Sequence, residues 1–352
     1  MQRYSRWNRV FGLLAVAALL VMPVAAQNGT VKVMTYNVNE GSDFLEVLSA
    51  QTPAEFVAAV QITLNAVDAS NPPLRMQAVA HQIAINQPDL VGLQEVSTWL
   101  VGPPSNPVVR YDMLQELVAA LAAQGQKYKV VGIVPEFQLA GPLPDLTNYV
   151  FLQDTDVMLA RDEPGMGIAN VQWGIFPTLL PVSTPGGSFN VTRGWGSADV
   201  TLHGQPFRFI VTHLESYVAQ APATLLIQEA QAYELATGPA NTNMPVVIAG
   251  DFNADALGKD ASIATWHEMM NLGFTDAWWT RYPNAAAAPT WPLLDSSANN
   301  ATAFQRIDYI WTKGNVRPLN LSQAGAAHQD KTGGLWPSDH AGVRAHLQFG
   351  HN

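Results

Sequence analysis

In the run Val246-Val247-Ile248-Ala249-Gly250-Asp251-Phe252-Asn253, a carboxylate and an amide two positions apart follow directly on an apolar segment. Four consecutive hydrophobic residues between Pro245 and Gly250 read as a strand buried on both faces, so Asp251 and Asn253 fall at the rim of a sheet. Alternation along an extended segment points both side chains the same way, into a cleft, and Gly250 lets another group approach the backbone closely. The pattern recurs along the chain. Asn37 ends TVKVMTYNV, Glu95 closes DLVGLQEV, His213 ends the strand in PFRFIVTHL, Asp308 stands inside RIDYIW, and Asp339-His340 closes WPSDH. Taken singly, Asn37 is an ordinary turn amide, Glu95 a solvated strand end and His213 a hydrogen-bonded edge residue. Asp308, within an apolar strand, needs a cationic or hydrogen-bonding partner. Taken together, acids, amides and imidazoles without any cysteine suit a hard, oxygen-seeking cation such as Mg²⁺, with Mn²⁺ or Ca²⁺ as alternatives, better than a structural zinc.

The elements that must position these residues alternate between strands and helices. Strands are expected at 30–38, 89–96, 128–134, 156–160, 197–202, 206–214, 246–251, 306–311 and 343–349, from their β-branched and apolar runs. Helices are expected within 43–69, from Asn71-Pro72-Pro73 to Ile85, and over 111–123, 224–237 and 263–271. Pro103–Pro107, Pro135–Asn148 and Pro283–Asn300 read as loops from their Pro, Gly, Ser and Asn content, the second of them exposed. Trp278 and Trp279 read as core packing rather than a base-stacking platform. No repeat of fixed period and no linker divides the chain, which implies one α/β domain over 27–352.

Residues 1–26 are expected to be a secretory signal peptide: Arg3, Arg6 and Arg9, an apolar run from Val10 to Met22, and small residues up to a cleavage site near Ala26. The run is shorter than the roughly 20 residues of a membrane span, so the mature chain is expected to have no transmembrane segment and to be secreted or periplasmic, as a monomer. With 0 cysteines among 352 residues, disulfides, thiolate metal sites and a cysteine nucleophile are excluded. The formal charge of −10, more negative still without the three leader arginines, does not describe a passive polyanion binder, although a bound cation supplies positive charge locally.

In this order the motifs TYNV, LVGLQEV, VTHLES, VIAGDFN, RIDYIW and SDH resemble the endonuclease/exonuclease/phosphatase superfamily, which includes DNase I-like nucleases, neutral sphingomyelinases and inositol polyphosphate phosphatases. The resemblance implies a four-layer αββα sandwich, two packed mixed β-sheets flanked by helices. It also implies a divalent-metal-dependent phosphoesterase in which metal-assisted water attacks a phosphodiester, nuclease-like in the leading reading. A sphingomyelinase-like or phosphoinositide-type lipid phosphoesterase is the alternative, and a binding module without catalysis comes third. Carried onto this sequence, Glu95 is the main metal ligand, with Asn37 beside it and Asp339 completing the shell. Asp251 activates the water, and Asn253 binds phosphate. His340, held by Asp308, contacts the phosphate from the opposite side. His213 donates to the phosphate or protonates the leaving oxygen. Arg193, in VTRGWGS, is a candidate phosphate contact, with a structural surface arginine as the alternative. Some relatives carry an acid where this chain has Asn39, so a single metal is expected. The partner is a phosphate-ester substrate, a nucleic acid or a phospholipid head group.

Overall fold

The computed structural model describes residues 29–283, 287–294 and 303–350. The expected leader and part of the 283–300 loop lie outside the described residues. The strands are β1 (Thr30–Asn37), β2 (Leu90–Gln94), β3 (Thr98–Gly102), β4 (Val108–Asp112), β5 (Tyr128–Pro142), β6 (Tyr149–Arg161), β7 (Met166–Ile175), β8 (Leu180–Thr184), β9 (Gly187–Val191), β10 (Gly194–Leu202), β11 (Gln205–His213), β12 (Val246–Asp251), β13 (Thr275–Asp276), β14 (Asp308–Lys313), β15 (Val316–Ala324) and β16 (Gly342–Phe349). The helices are α1 (Leu45–Ser49), α2 (Pro53–Ser70), α3 (Pro72–Asn86), α4 (Met113–Ala123), α5 (Ala223–Thr237), α6 (Ile263–Asn271) and α7 (Ala277–Arg281).

Two mixed sheets pack face to face. The first runs β15-β16-β1-β2-β6-β3-β4, with β5 also on β6; the second runs β13-β14-β12-β11-β10-β7. Between them Val31, Val33 and Leu90 meet Phe209, Val211 and Val247. The outer face of the first sheet buries Met34, Val91 and Leu93 against Met76, Val79 and Ile83 of α3 and Leu117 of α4. The outer face of the second buries Ile210 and Ile248 against Leu235 of α5 and Trp266 and Met269 of α6. This is the expected helix–sheet–sheet–helix layering. Each fully buried aliphatic or aromatic side chain contributes on the order of 1.5–3 kcal/mol. The sheets approach closely at Gly92, where a Cβ would lie 2.9 Å from Val211 Cγ2 and 3.1 Å from Ala249 Cβ. Among the described residues no helix is long and apolar enough to cross a membrane.

The expected helices form, with predictable ends. Thr52 caps α2 in a reciprocal box with Glu55, the side chain of each accepting from the other's backbone N–H, and Pro53 occupies the first turn. Not every expectation holds. Pro135–Asn148 is not a loop: β5 continues to Pro142 and β6 already begins at Tyr149. The prolines misled because proline lacks an N–H for the ladder. The strand accommodates Pro135 with a shift of register between Pro135 and Gln138. Asp308 also sits differently from expectation, at the first residue of its strand rather than the middle. Trp278 packs against the central core, whereas Trp279 is half-exposed.

Candidate active site

The register of the second sheet sets three candidate residues in one row. His213 is the Cα partner of Asp251 on parallel neighbours, and Asp251 is the partner of Asp308 on antiparallel ones. Side chains on the same rung of a sheet share a face, so the three emerge together at the rim. Across the gap the first sheet ends with Asn37 opposite Gln94, and Glu95 follows with a left-handed φ of 59° that turns it out of the strand line. Asn253 also sits at a left-handed φ, 50°, and at Gly250 a Cβ would stand 2.6 Å from the Thr212 carbonyl oxygen, which accounts for glycine there.

Asn37 joins the two sheets. Its amide nitrogen donates to Glu95 Oε1 at 2.8 Å and to Asp251 Oδ2 at 3.0 Å, while its oxygen accepts from Asn39 N at 2.9 Å. Glu95 Oε2 accepts from Glu40 N at 3.0 Å. The Asn39 side chain accepts from Gly41 N. Asp251 Oδ1 accepts from Asn253 N at 2.9 Å. Burial first, then the neighbouring Asp308 carboxylate, push Asp251 up to about 7, against the lowering effect of His340, Asn37 and the Asn253 N–H. His340 Nδ1 lies 3.0 Å from Asp308 Oδ2 and 3.8 Å from Asp251 Oδ2. Burial lowers its pKa, but Asp308, Asp339 and Asp251 outweigh that and hold it well above the ordinary imidazole value. The partner that the buried Asp308 required is therefore His340.

Asp339 is held by Trp291, whose indole Nε1 donates to Oδ2 at 3.2 Å. Ser338, beside it, donates to the Asn37 carbonyl at 2.7 Å and ties this loop to β1. His213 Nε2 lies 3.6 Å from Asp251 Oδ2 and 3.1 Å from Asn253 Nδ2, and Arg193 Nη1 donates to His213 Nδ1 at 2.9 Å. Arg193 is half-buried next to His213, with Glu215 Oε1 3.9 Å from its Nη2. For a divalent cation the fit is chemical: the Glu95 carboxylate, the Asn37 amide and the Asp339 carboxylate are oxygen donors, and the buried Asp308 Oδ1 has no hydrogen-bond partner among the described residues. Asp251, Asp308 and His340 also bring ligand atoms within 4.8 Å of one another, but there the His340 Nδ1 is already engaged with Asp308.

The sequence matches the family described as Endonuclease/Exonuclease/phosphatase over residues 34–340, a span that contains every one of these side chains. The chain belongs to this family. It is accordingly a metal-dependent phosphoric ester hydrolase. Among curated proteins none matches it by sequence. Solved structures share its fold: TDP2 from D. rerio complexed with single strand DNA product (TM-score 0.54, 18% identity, 91% of this chain and 99% of that one) and a mannosyl-6-phosphatase from Bacteroides thetaiotaomicron (0.51, 15%, 91% and 100%). A family protein from Leptotrichia buccalis is also similar (0.55, 15%, 91% and 100%).

Several supports of this family member's site were not legible beforehand. Arg75, buried on α3, donates to the carbonyls of Val38 at 2.6 Å and Asn39 at 2.9 Å and so holds the loop after β1. Gln228, buried on α5, donates to the carbonyls of Glu215 at 2.8 Å and Asn253 at 2.9 Å, clamping the loops that follow β11 and β12. Thr290 Oγ1 accepts from the N–H groups of Ile307 and Asp308, at 3.1 and 3.3 Å. The one available signal was a long polar side chain within the apolar spacing of α3 and α5. Four buried acids, Glu40, Glu136, Asp154 and Asp156, also lie near Arg193, and of these only Asp156 falls in a segment whose sequence reads as strand.

Proposed function

We propose that the mature, exported chain hydrolyses a phosphodiester by direct attack of water, with Asp251 as the base. The observation that carries this reading is the Asn37 amide bridging Glu95 and Asp251 at 2.8 and 3.0 Å, which sets a cation-binding carboxylate and a base side by side. When bound at Glu95, Asn37 and Asp339, a divalent cation supplies positive charge to a phosphoryl oxygen and to the leaving oxygen. Asp251, pushed up to about 7, is a stronger base than a solvated aspartate and accepts a proton from water near neutral pH. Its Oδ1 is oriented by Asn253 N and its Oδ2 by the Asn37 amide. His340, kept cationic by Asp308, contacts the phosphate from one side, and Asn253 and His213 from the other.

Of the substrates that the sequence leaves open, the surroundings favour a phospholipid head group over nucleic acid. Residues 33–74, 130–160 and 162–192, which build α1, α2, the β5–β6 hairpin and β7–β9 beside the site, contain no lysine or arginine. A nucleic-acid groove needs several cations to meet successive phosphates. On α1, a few residues past Glu40, Leu45 and Leu48 are 63% and 49% exposed, which suits contact with an apolar interface. The deciding experiment is a panel of sphingomyelin, phosphoinositide, single- and double-stranded DNA, RNA and an aryl phosphate diester, with Mg²⁺ and with chelator. Turnover of a lipid or small diester that chelator abolishes supports the reading. Preference for DNA or RNA restores the nuclease-like alternative, and turnover that survives chelation overturns the role given to the cation.

A further inference from the structure

We propose that Arg193 is a positioning residue that fixes His213 as a neutral imidazole with its proton on Nε2, so that His213 serves as a permanent hydrogen-bond donor and not as the acid that protonates the leaving oxygen. Each ring nitrogen of His213 faces a donor. Nδ1 is 2.9 Å from Arg193 Nη1, and Nε2 is 3.1 Å from Asn253 Nδ2. A neutral imidazole has one lone pair to offer, and a guanidinium has donors only and keeps its proton. The charge-assisted bond is the stronger of the two, so the lone pair belongs to Nδ1.

The Asn253 amide competes for the same lone pair, and as a neutral donor it is the weaker competitor. Its Nδ2 already donates to the Leu214 carbonyl at 3.0 Å, and turning the amide over would set its oxygen against that carbonyl. Nδ2 carries a second N–H, so with the lone pair on Nδ1 its 3.1 Å contact with Nε2 is donor to donor, a cost that the bond from Arg193 offsets. With Asp251 Oδ2 at 3.6 Å, beyond hydrogen-bond range, no acceptor among the described residues takes the Nε2–H, which leaves it for a phosphoryl oxygen on the proposed reading. An imidazolium would carry N–H on both nitrogens, lose the bond to Arg193 and set two cations against each other.

The acid nest explains why Arg193 holds this position. Glu215, Glu136, Asp154 and Glu95 surround the guanidinium and more than offset the lowering effect of burial, holding its pKa above the ordinary value. Asp156, buried beneath, has no hydrogen-bond partner on either oxygen among the described residues. From the neighbouring elements the charged groups facing His213 are Arg193 before β10, Asp251 on β12 and His340 before β16, with Glu215 two residues along its own chain. Burial, then Arg193 and His340, lower the His213 pKa well below the ordinary value.

The tautomer can be read without any substrate. Long-range ¹H–¹⁵N spectra of histidine-labelled protein, assigned with a His213→Asn variant, should show His213 protonated on Nε2 and unchanged from about pH 5 to 8, where an ordinary histidine titrates. Arg193→Met should let His213 titrate in that window and lower kcat/KM about 10²-fold, the scale for disordering one transition-state donor. Arg193→Lys, which keeps a cationic donor, should restore much of both. A wild-type spectrum showing an Nδ1–H tautomer or an imidazolium in that window overturns the proposal, as does an Arg193→Met spectrum identical to wild type. If Arg193→Met does not fold, the wild-type spectrum decides alone. Because this readout involves no turnover, its failure is separable from failure of the phosphoesterase reading.

Discussion

Two groups of ionisable side chains face each other across the rim, and they are built on opposite plans. In the row at the end of the second sheet, Asp251 has both oxygens engaged, and Asp308 and His340 form a 3.0 Å pair. In the nest on β5, β6 and the loop after β1, Asp156 has neither oxygen paired, and Glu40, Glu136 and Asp154 share a single arginine. Burial pushes the nest acids up, Asp154 to about 6 and Glu40, Glu136 and Asp156 well above the ordinary carboxylate range. The row holds its groups in defined geometry, as a reacting centre requires. The nest costs stability, and its acids lie around one guanidinium behind His213. Buried charge at a functional site can therefore act on chemistry through an intermediary that never touches substrate.

Four measurements would break or sharpen this contrast. The largest effect is expected in the row: Asp251→Asn should lower kcat/KM by about 10³-fold with the fold intact by circular dichroism, because the base is lost. Activity near wild type would show that the row does not contain the base. For the wild type, kcat/KM should fall as pH drops through about 7, where Asp251 takes up its proton. Next, chelation should abolish turnover and lower Tm, with Mg²⁺ or Mn²⁺ restoring both, since a ligand that binds only the folded state stabilises it. An unchanged Tm would separate the cation from the folded site. Third, Asp308→Asn should cost about 10²-fold in kcat/KM and bring His340 back toward ordinary titration, because its main counter-charge is gone.

The smallest effect belongs to the nest and appears in stability. Folded Glu136, Asp154 and Asp156 keep protons that the unfolded chain releases from about pH 4. Their contribution is therefore full below pH 4 and is lost as pH rises through about 6 and beyond. His340, also raised, has the same sign, and His213, lowered, has the opposite one. Calorimetry in chelator should show Tm declining from pH 5 to 8, and Asp156→Asn should flatten the decline, with Tm at pH 8 higher by about 2–4 °C. A Tm that rises over this range would mean that the nest is ionised and paired in a way the geometry does not provide.

The row was legible in the sequence because its signals are local. An apolar run ends, a polar residue follows, and strand geometry alone puts that residue at the sheet rim, as for Asn37, Glu95, His213 and Asp251. The layered fold was legible for the same reason: strand and helix periods are properties of a few consecutive residues. The nest was not. Glu136 lies in a stretch whose prolines read as loop, and only pairing along β6, with a shift of register at Pro135, makes it strand and buries it. Arg193 carries no local sign of its role and owes its surroundings to Glu215, His213 and the acids of β5 and β6. Which nitrogen of His213 holds the proton was likewise decided only by tertiary structure, because a tautomer depends on partners that here lie 20 and 40 residues away in the chain.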